Sequence, residues 1–274
     1  MKKTVHIEQT IGVGFGNLVQ FIPTLLFLKS YCDISSNSQF YLDMGLTHQP
    51  FKKEHIDEVI VPHFPANWRA QIRLRRKYPK TPILMPQFRA KGRHWPTLLT
   101  RSYPVDLNKP EPEQYQQIFG HTFPFKYLGW IPRDHLIILG TSGKANKQFK
   151  YLNTLWNNLE NLGFKVLMIG EHGIWYNHYR EMFEAVQSGT FYFGVDCGLM
   201  HLCDILGMPG IVLWGDTWKK SQPVNNIQTI EKGLDLGYQQ ILSTFMAAYE
   251  SAWGSLPVVL RSKVQGDAKA AGQD

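Results

Sequence analysis

Phe191-Tyr-Phe-Gly-Val-Asp196-Cys-Gly-Leu-Met-His201-Leu, followed at once by Gly207-Met-Pro-Gly-Ile-Val-Leu-Trp-Gly-Asp-Thr217, is the stretch on which the fold turns. Thr190–Val195 is short and nearly all apolar, and the run ends on Asp196. Leu199–Leu206 has helical spacing and stops at Gly207, a residue suited to ending a helix. Gly210–Trp214 is apolar again. Strand, helix and strand in this order, with no polar face on either strand, mean parallel strands covered on both sides. Ligands of such sheets sit beyond the carboxyl ends of the strands. Gly198 opens the helix there, so the amides of Gly198, Leu199 and Met200 are placed to cradle a diphosphate. His201, early in the same helix, can donate to a phosphate oxygen. Alone it reads better as a core histidine; the surrounding pattern reverses that preference. Asp216 and Thr217 end the next strand on the same edge.

The same alternation extends in both directions. Downstream of residue 130 the spacing predicts strands at His135–Gly140 and Lys165–Gly170, with helices at Phe149–Leu162, Tyr176–Val186 and Leu236–Ala252. Upstream it predicts a strand at Thr4–Ile11, a glycine turn at Gly12–Gly16 and a helix at Asn17–Tyr31. Strands follow at Gln39–Met44, Glu58–Pro62 and Pro82–Pro86, with helices at Trp68–Lys77 and Glu111–Phe119. Gly12, Gly14 and Gly16 alternate, so the first turn lacks the Gly-x-Gly-x-x-Gly dinucleotide spacing and is by itself a weak signal. Two series imply two doubly wound α/β domains, 1–130 and 131–255, with a disordered tail over 256–274.

The composition excludes several classes. A hydrophobic content of 43% and a charged content of 19% over 274 residues describe a folded globular chain. Three cysteines do not make a disulfide framework and suggest a reducing compartment; Cys197 and Cys203 read as small core residues. The start is not that of a signal peptide, and Leu18–Leu28 is too short to span a bilayer, so a cytoplasmic location is expected. The net charge of +7 is uneven. Val59 to Val105 contains no Asp or Glu but ten basic residues, interleaved with Trp68, Tyr78, Phe88, Trp95 and Tyr103. Such a stretch is either a solvated helix face with a basic loop or a polyanion-binding surface. Its Arg69, Arg73, Arg76, Arg89, Lys91 and Arg93 are the candidate contacts. Peripheral contact with anionic lipid through Arg69–Lys77 is a weaker option. No protein partner is evident.

Asp196-Cys-Gly-Leu-Met-His201 with the downstream Gly-Met-Pro and Trp-Gly-Asp-Thr217 resembles the nucleotide-sugar signature of glycosyltransferase family 9, the heptosyltransferase-like enzymes. Gly14-Phe-Gly16-Asn17, running on to Pro23 and Leu25, is similar to the family's first helix. Gly140-Thr141-Ser142-Gly-Lys-Ala-Asn-Lys147 is similar to its Gly-Ser/Thr … Lys turn, and Glu171 stands where an acidic ribose contact is common. The resemblance covers most of 4–30 and 135–220. It implies a GT-B fold of two facing Rossmann-like domains, the donor bound mainly by the second, and the C-terminal helix packing back toward the first. It also implies no catalytic metal and no permanently bound cofactor, with an ADP- or UDP-linked sugar as co-substrate. Lys147 would then neutralise the leaving diphosphate, and Gly198 to His201 would hold it.

One departure concerns Asn17. Many heptosyltransferases carry an Asp there, proposed to deprotonate the acceptor hydroxyl, and an amide cannot act as a base. Glu8, near the end of the first strand, and Asp43, placed by the reading above at the end of the second, are the candidate replacements; Asn17 could still position the acceptor. In this architecture the first domain usually takes the acceptor. The basic segment there suits one bearing phosphates, either the lipopolysaccharide core or DNA with hydroxymethylated pyrimidines. A chain that has lost its base would instead be a nucleotide- or nucleic-acid-binding module without turnover.

Overall fold

The computed structural model describes residues 2–10, 14–62, 68–88, 101–106, 108–121, 129–133, 135–141, 147–170, 173–215 and 219–254. The chain divides into two compact units, one centred on Met1–Pro124 and the other on Phe125–Asn177, Glu181–Thr217 and Pro223–Asp274.

The first unit runs β1 (Lys3–Ile7), α1 (Phe15–Gln20), α2 (Ile22–Lys29), β2 (Cys32–Ser36), α3 (Gln39–Asp43), β3 (Glu58–Ile60), α4 (Trp68–Lys77), β4 (Ile83–Phe88), β5 (Arg101–Val105) and α5 (Glu111–Phe119). Its five strands are parallel, in the order β2-β1-β3-β4-β5. The second unit runs β6 (Leu136–Gly140), α6 (Leu152–Asn161), β7 (Lys165–Ile169), α7 (Tyr179–Gln187), β8 (Phe191–Val195), α8 (Gly198–Leu206), β9 (Gly210–Leu213), β10 (Ile227–Ile230) and α9 (Tyr238–Trp253). Its five strands are also parallel, in the order β10-β9-β8-β6-β7. Counted from its own first strand, each unit has the same order: second, first, third, fourth, fifth. Each therefore reverses direction between its first and third strands, at β1/β3 and at β6/β8. At such a reversal the loops leave on opposite faces and open a crevice at the carboxyl edge.

Several elements depart from the sequence reading. The second strand is Cys32–Ser36, and Gln39–Met44 forms α3 instead. Ser35 and Ser36 are buried in β2, which hides it from a hydrophobicity pattern. Their hydroxyls are satisfied locally, Ser36 Oγ donating to the Ile7 carbonyl at 2.8 Å and Ser35 Oγ meeting His6 Nδ1 at 2.8 Å. Asp43 consequently ends a helix, not a strand. The expected helix over Asn17–Tyr31 is two, α1 and α2, divided at Phe21; Pro23 in the first turn of α2 has no N–H to continue the ladder. β5 and β10 were hidden by their polarity, β5 by Arg101 and Pro104 as well. Both are edge strands, where a proline costs no central ladder bond.

The terminal helix is expected to turn toward the first domain. Its described residues bury Ile241, Phe245 and Tyr249 in the second unit's own core. Phe245 lies edge-on to Phe164, Phe191 and Phe193, with centroids 5.4–5.8 Å apart. A fully buried Phe contributes about 1.5–3 kcal/mol by area alone. Among the described residues, no helix is long and apolar enough to cross a membrane.

Candidate functional site

The β6/β8 reversal is built by close backbone approach. Gly140 and Gly194 stand opposite each other in the ladder. A Cβ on Gly140 would come within 2.5 Å of the Tyr192 hydroxyl, and one on Gly194 would run into the Gly140 carbonyl oxygen. The buried Tyr192 ring fills this space and donates to the Val195 carbonyl at 2.8 Å, holding the end of β8 in place. Burial, then the nearby thiols of Cys197 and Cys203, push its hydroxyl well up, so it remains a donor.

Past β8 the chain enters α8 through Cys197, which has extended backbone geometry. No side-chain oxygen caps the helix. The Cys197 thiol, a weak acceptor whose own ionisation is disfavoured by burial, faces the Leu199 and Met200 amides. The first-turn N–H groups of α8 thus lack a strong acceptor among the described residues, and the helix dipole adds positive potential at that end. Asp196 sits immediately before it, buried. Lys147, arriving from the chain beyond β6, donates to the Asp196 carbonyl at 3.1 Å and forms an ion pair with Asp196 Oδ2. His201 Nε2, one turn into α8, lies 4.0 Å from Asp196 Oδ1. The second unit therefore brings Lys147, Asp196, Cys197, Gly198, Leu199, Met200 and His201 to one end of α8. Thr141 follows β6 directly, its N–H bonded to the Ile169 carbonyl at 3.3 Å. Ser142, Glu171, Asp216 and Thr217 lie outside the described residues. So do Arg89, Lys91 and Arg93 of the first unit.

In the first unit, Gly14 caps α1, and Asn17 N–H bonds back to the Gly14 carbonyl at 3.1 Å. Gly16 and Asn17 lie in the first turn of that helix. Asp43 accepts from Gln39 Nε2, four residues back on α3, at 2.5 Å. Glu8 leaves β1 at the other reversal, buried, and collects His6 Nε2 at 3.0 Å, Tyr78 hydroxyl at 2.8 Å and Lys77 Nζ at 2.8 and 2.9 Å. Burial alone would raise its carboxyl; the hydrogen bonds from His6, Lys77 and Tyr78, with the charge of Lys77, outweigh it and hold Glu8 below the ordinary carboxylate value. The sequence reading missed these partners, although His6 on β1 and Glu8 just past its end, two residues apart in extended chain, share a face.

α4 is amphipathic. Gln71, Leu74 and Tyr78 are buried, while Arg69, Arg73 and Arg76, spaced four and three apart, are exposed along one face. Arg75 turns back to the Thr81 carbonyl at 2.9 Å, and Lys77 is taken up by Glu8. Among the described residues, no cluster of His, Cys, Asp and Glu could hold a metal ion.

No protein-family model matches the sequence, and no curated protein matches it. Solved structures do match. The chain is similar to the glycosyl transferase family 9 protein from Veillonella parvula DSM 2008, with a TM-score of 0.65 and 13% identity over 91% of this chain and 98% of that one. It is similar to E. coli heptosyltransferase WaaC with ADP, with a TM-score of 0.65 and 12% identity over 90% of this chain and 99% of that one. It is also similar to E. coli ADP-heptose lps heptosyltransferase II, with a TM-score of 0.60 and 13% identity over 91% and 99%. The fold of this chain, two parallel α/β units, is the fold of these glycosyltransferases.

Proposed function

We propose that the chain is a family 9-type glycosyltransferase, moving a sugar from a nucleoside-diphosphate donor to a hydroxyl of a phosphate-bearing acceptor. The carrying observation is the convergence of Lys147 and His201 on Asp196 at the amino end of α8. One ammonium, one imidazole and a row of first-turn amides form the donor set a pyrophosphate leaving group requires. Asp196 anchors Lys147 directly, and His201 stands 4.0 Å from its other carboxylate oxygen. Negative charge grows on the leaving diphosphate as the glycosidic bond breaks, and groups already held there stabilise it without reorganising. The ADP and ADP-heptose named with the similar structures are nucleotides of this class, and an ADP- or UDP-linked sugar is the co-substrate of this reading. Glu171, Asp216 and Thr217 complete the donor contacts.

The acceptor belongs to the first unit, where Arg69, Arg73 and Arg76 supply phosphate contacts. Of the two carboxylates proposed as base, Glu8 has its lone pairs occupied by Lys77, Tyr78 and His6. Asp43, although it ends α3 and not a strand, has an amide of its own helix as its described partner and is the carboxylate left as candidate base, with Asn17 as the residue that would position the hydroxyl. A second reading follows from the same facts: an amide at Asn17 and a locked Glu8 are what a nucleotide-binding module without turnover would retain.

Radiolabel transfer from nucleotide sugars separates the readings, with a phosphorylated lipopolysaccharide core and hydroxymethylated duplex DNA as acceptors. Transfer to either, reduced about 100-fold by His201→Ala and by Lys147→Ala, is the expected outcome. Nucleotide binding without transfer or donor hydrolysis in the wild type and in both variants would leave only the binding module.

A further inference from the structure

The second unit has a cavity of about 590 Å3 on the side of its sheet away from α8's amino end. Phe191, Gly210 and Ile227, which line it, are the first residues of β8, β9 and β10. The cavity therefore opens at the amino edge. Asp196 lies five residues further along the β8 chain, about 16 Å away at the rise of an extended strand. Among the described residues, none of the proposed donor contacts borders it.

Its lining is a particular mixture. Trp130 and Trp253 form one wall, with ring centroids 5.8 Å apart and planes at 60°. Trp130 Nε1 is fixed by the Gly189 carbonyl at 2.7 Å, while Trp253 is 38% exposed. Asn225, Asn226 and Gln228 supply amides and Ser251 a hydroxyl. Among the described residues, none that lines it is charged.

The amide wall is held rigid from behind. The buried Asp204 of α8 accepts the Val224 N–H at 2.8 Å and the Asn225 N–H at 2.9 Å, and its own carbonyl accepts Asn225 Nδ2 at 2.7 Å. Asn226 Nδ2 donates to the Gly207 carbonyl at 2.8 Å. A binding wall whose conformation is fixed beforehand loses less entropy when it engages a ligand.

We propose that this cavity is a second ligand site, and that it takes a neutral carbohydrate. Amides donate and accept at once, as sugar hydroxyls do. Indole faces take the C–H face of a pyranose ring. The described lining offers a phosphate or nucleotide no cation to pair with. The amides and hydroxyl give a purely apolar ligand nothing to pair them with. One face of the tilted indole pair can stack a pyranose while its several hydroxyls pair with the amides around it, whereas a purine stacked there leaves most of those amides unpaired. The volume suits one or two sugar rings, within the 300–1,000 Å3 typical of small-molecule sites, about the middle of that range.

Saturation-transfer NMR on the full chain tests this, with lactose, maltotriose and N,N′-diacetylchitobiose as probes and adenosine as the flat-base comparison. Transfer to at least one sugar, weakened tenfold or more by Trp253→Ala and by Asn226→Ala, is the expected result. Both variants are checked for unchanged thermal unfolding. Lys147→Ala, which weakens nucleotide binding if the proposed function is right, leaves the sugar signal intact, so the two sites stand or fall separately. Silence from all three sugars overturns the proposal. So does a signal indifferent to both variants, or adenosine bound as well as sugar. Binding seen only after removal of residues 255–274 also overturns it, because the cavity would then belong to the chain's own tail.

Discussion

Replacing Glu8 by glutamine separates a structural clamp from a catalytic base. Glu8→Gln keeps the shape but removes the charge and turns one acceptor oxygen into an NH2 facing Lys77 or Tyr78. The carboxylate accepts from His6, Tyr78 and Lys77 at 2.8–3.0 Å. A hydrogen bond to a charged group contributes about 1.5–3 kcal/mol net. The Lys77 side chain is 39% exposed, so water takes back much of its share when the partner is lost. The buried contacts to Tyr78 and His6 have no such substitute. The expected cost is about 2–4 kcal/mol at neutral pH. Its pH dependence follows from the lowered carboxyl. A group held below its ordinary value of 4.5 stabilises the fold fully above about that pH and loses the contribution as pH falls through the folded-state value. Urea unfolding followed by far-UV circular dichroism, from neutral pH downward, should therefore show a gap between wild type and variant that closes on acidification. A variant as stable as the wild type at neutral pH, or a gap unchanged in acid, would refute the reasoning.

Three further outcomes are expected. Gly194→Ala drives a methyl into the Gly140 carbonyl and to 2.6 Å from the Tyr192 hydroxyl, and should cost about 1–3 kcal/mol in thermal or chemical unfolding. Burial pushes the Asp204 carboxyl up to about 6 despite the Val224 and Asn225 amides. That raised value makes its stability contribution largest below pH 3.8 and progressively lost up to about 6, a slope that Asp204→Asn should remove from the stability-versus-pH curve. Arg73→Ala combined with Arg76→Ala touches exposed positions and should change stability by less than about 0.5 kcal/mol, while lowering the salt dependence and affinity of heparin binding.

The parallel α/β architecture was legible because its central strands, β6, β8 and β9, are apolar throughout, β6 ending on Gly140 and β8 running directly into Asp196. The edges were not. β5 and β10 carry polar residues because one side of an edge strand meets solvent, and a proline is tolerated there. β2 was displaced in the reading because two buried serines pair locally with His6 and Ile7, so they look like loop residues in a pattern that counts only hydrophobicity. At the candidate site, the turn before α8 followed from strand-helix order, and His201 from that order together with the surrounding pattern that carries the family resemblance. Lys147 followed only from family resemblance, since no local pattern ties it to Asp196 across 49 positions. The Glu8–Lys77 pair and the Trp130–Trp253 wall are long-range for the same reason: parallel topology joins residues whose sequence separation carries no periodicity.

Calorimetric titration of the full chain with a panel of nucleoside diphosphates, ADP and UDP first, tests the central claim most directly. The account predicts saturable one-site binding, weakened by about ten- to a hundredfold in Lys147→Ala, the loss of one charge-assisted contact of about 1.5–3 kcal/mol. No binding by any nucleoside diphosphate, or equal affinity in the wild type, Lys147→Ala and His201→Ala, would contradict it.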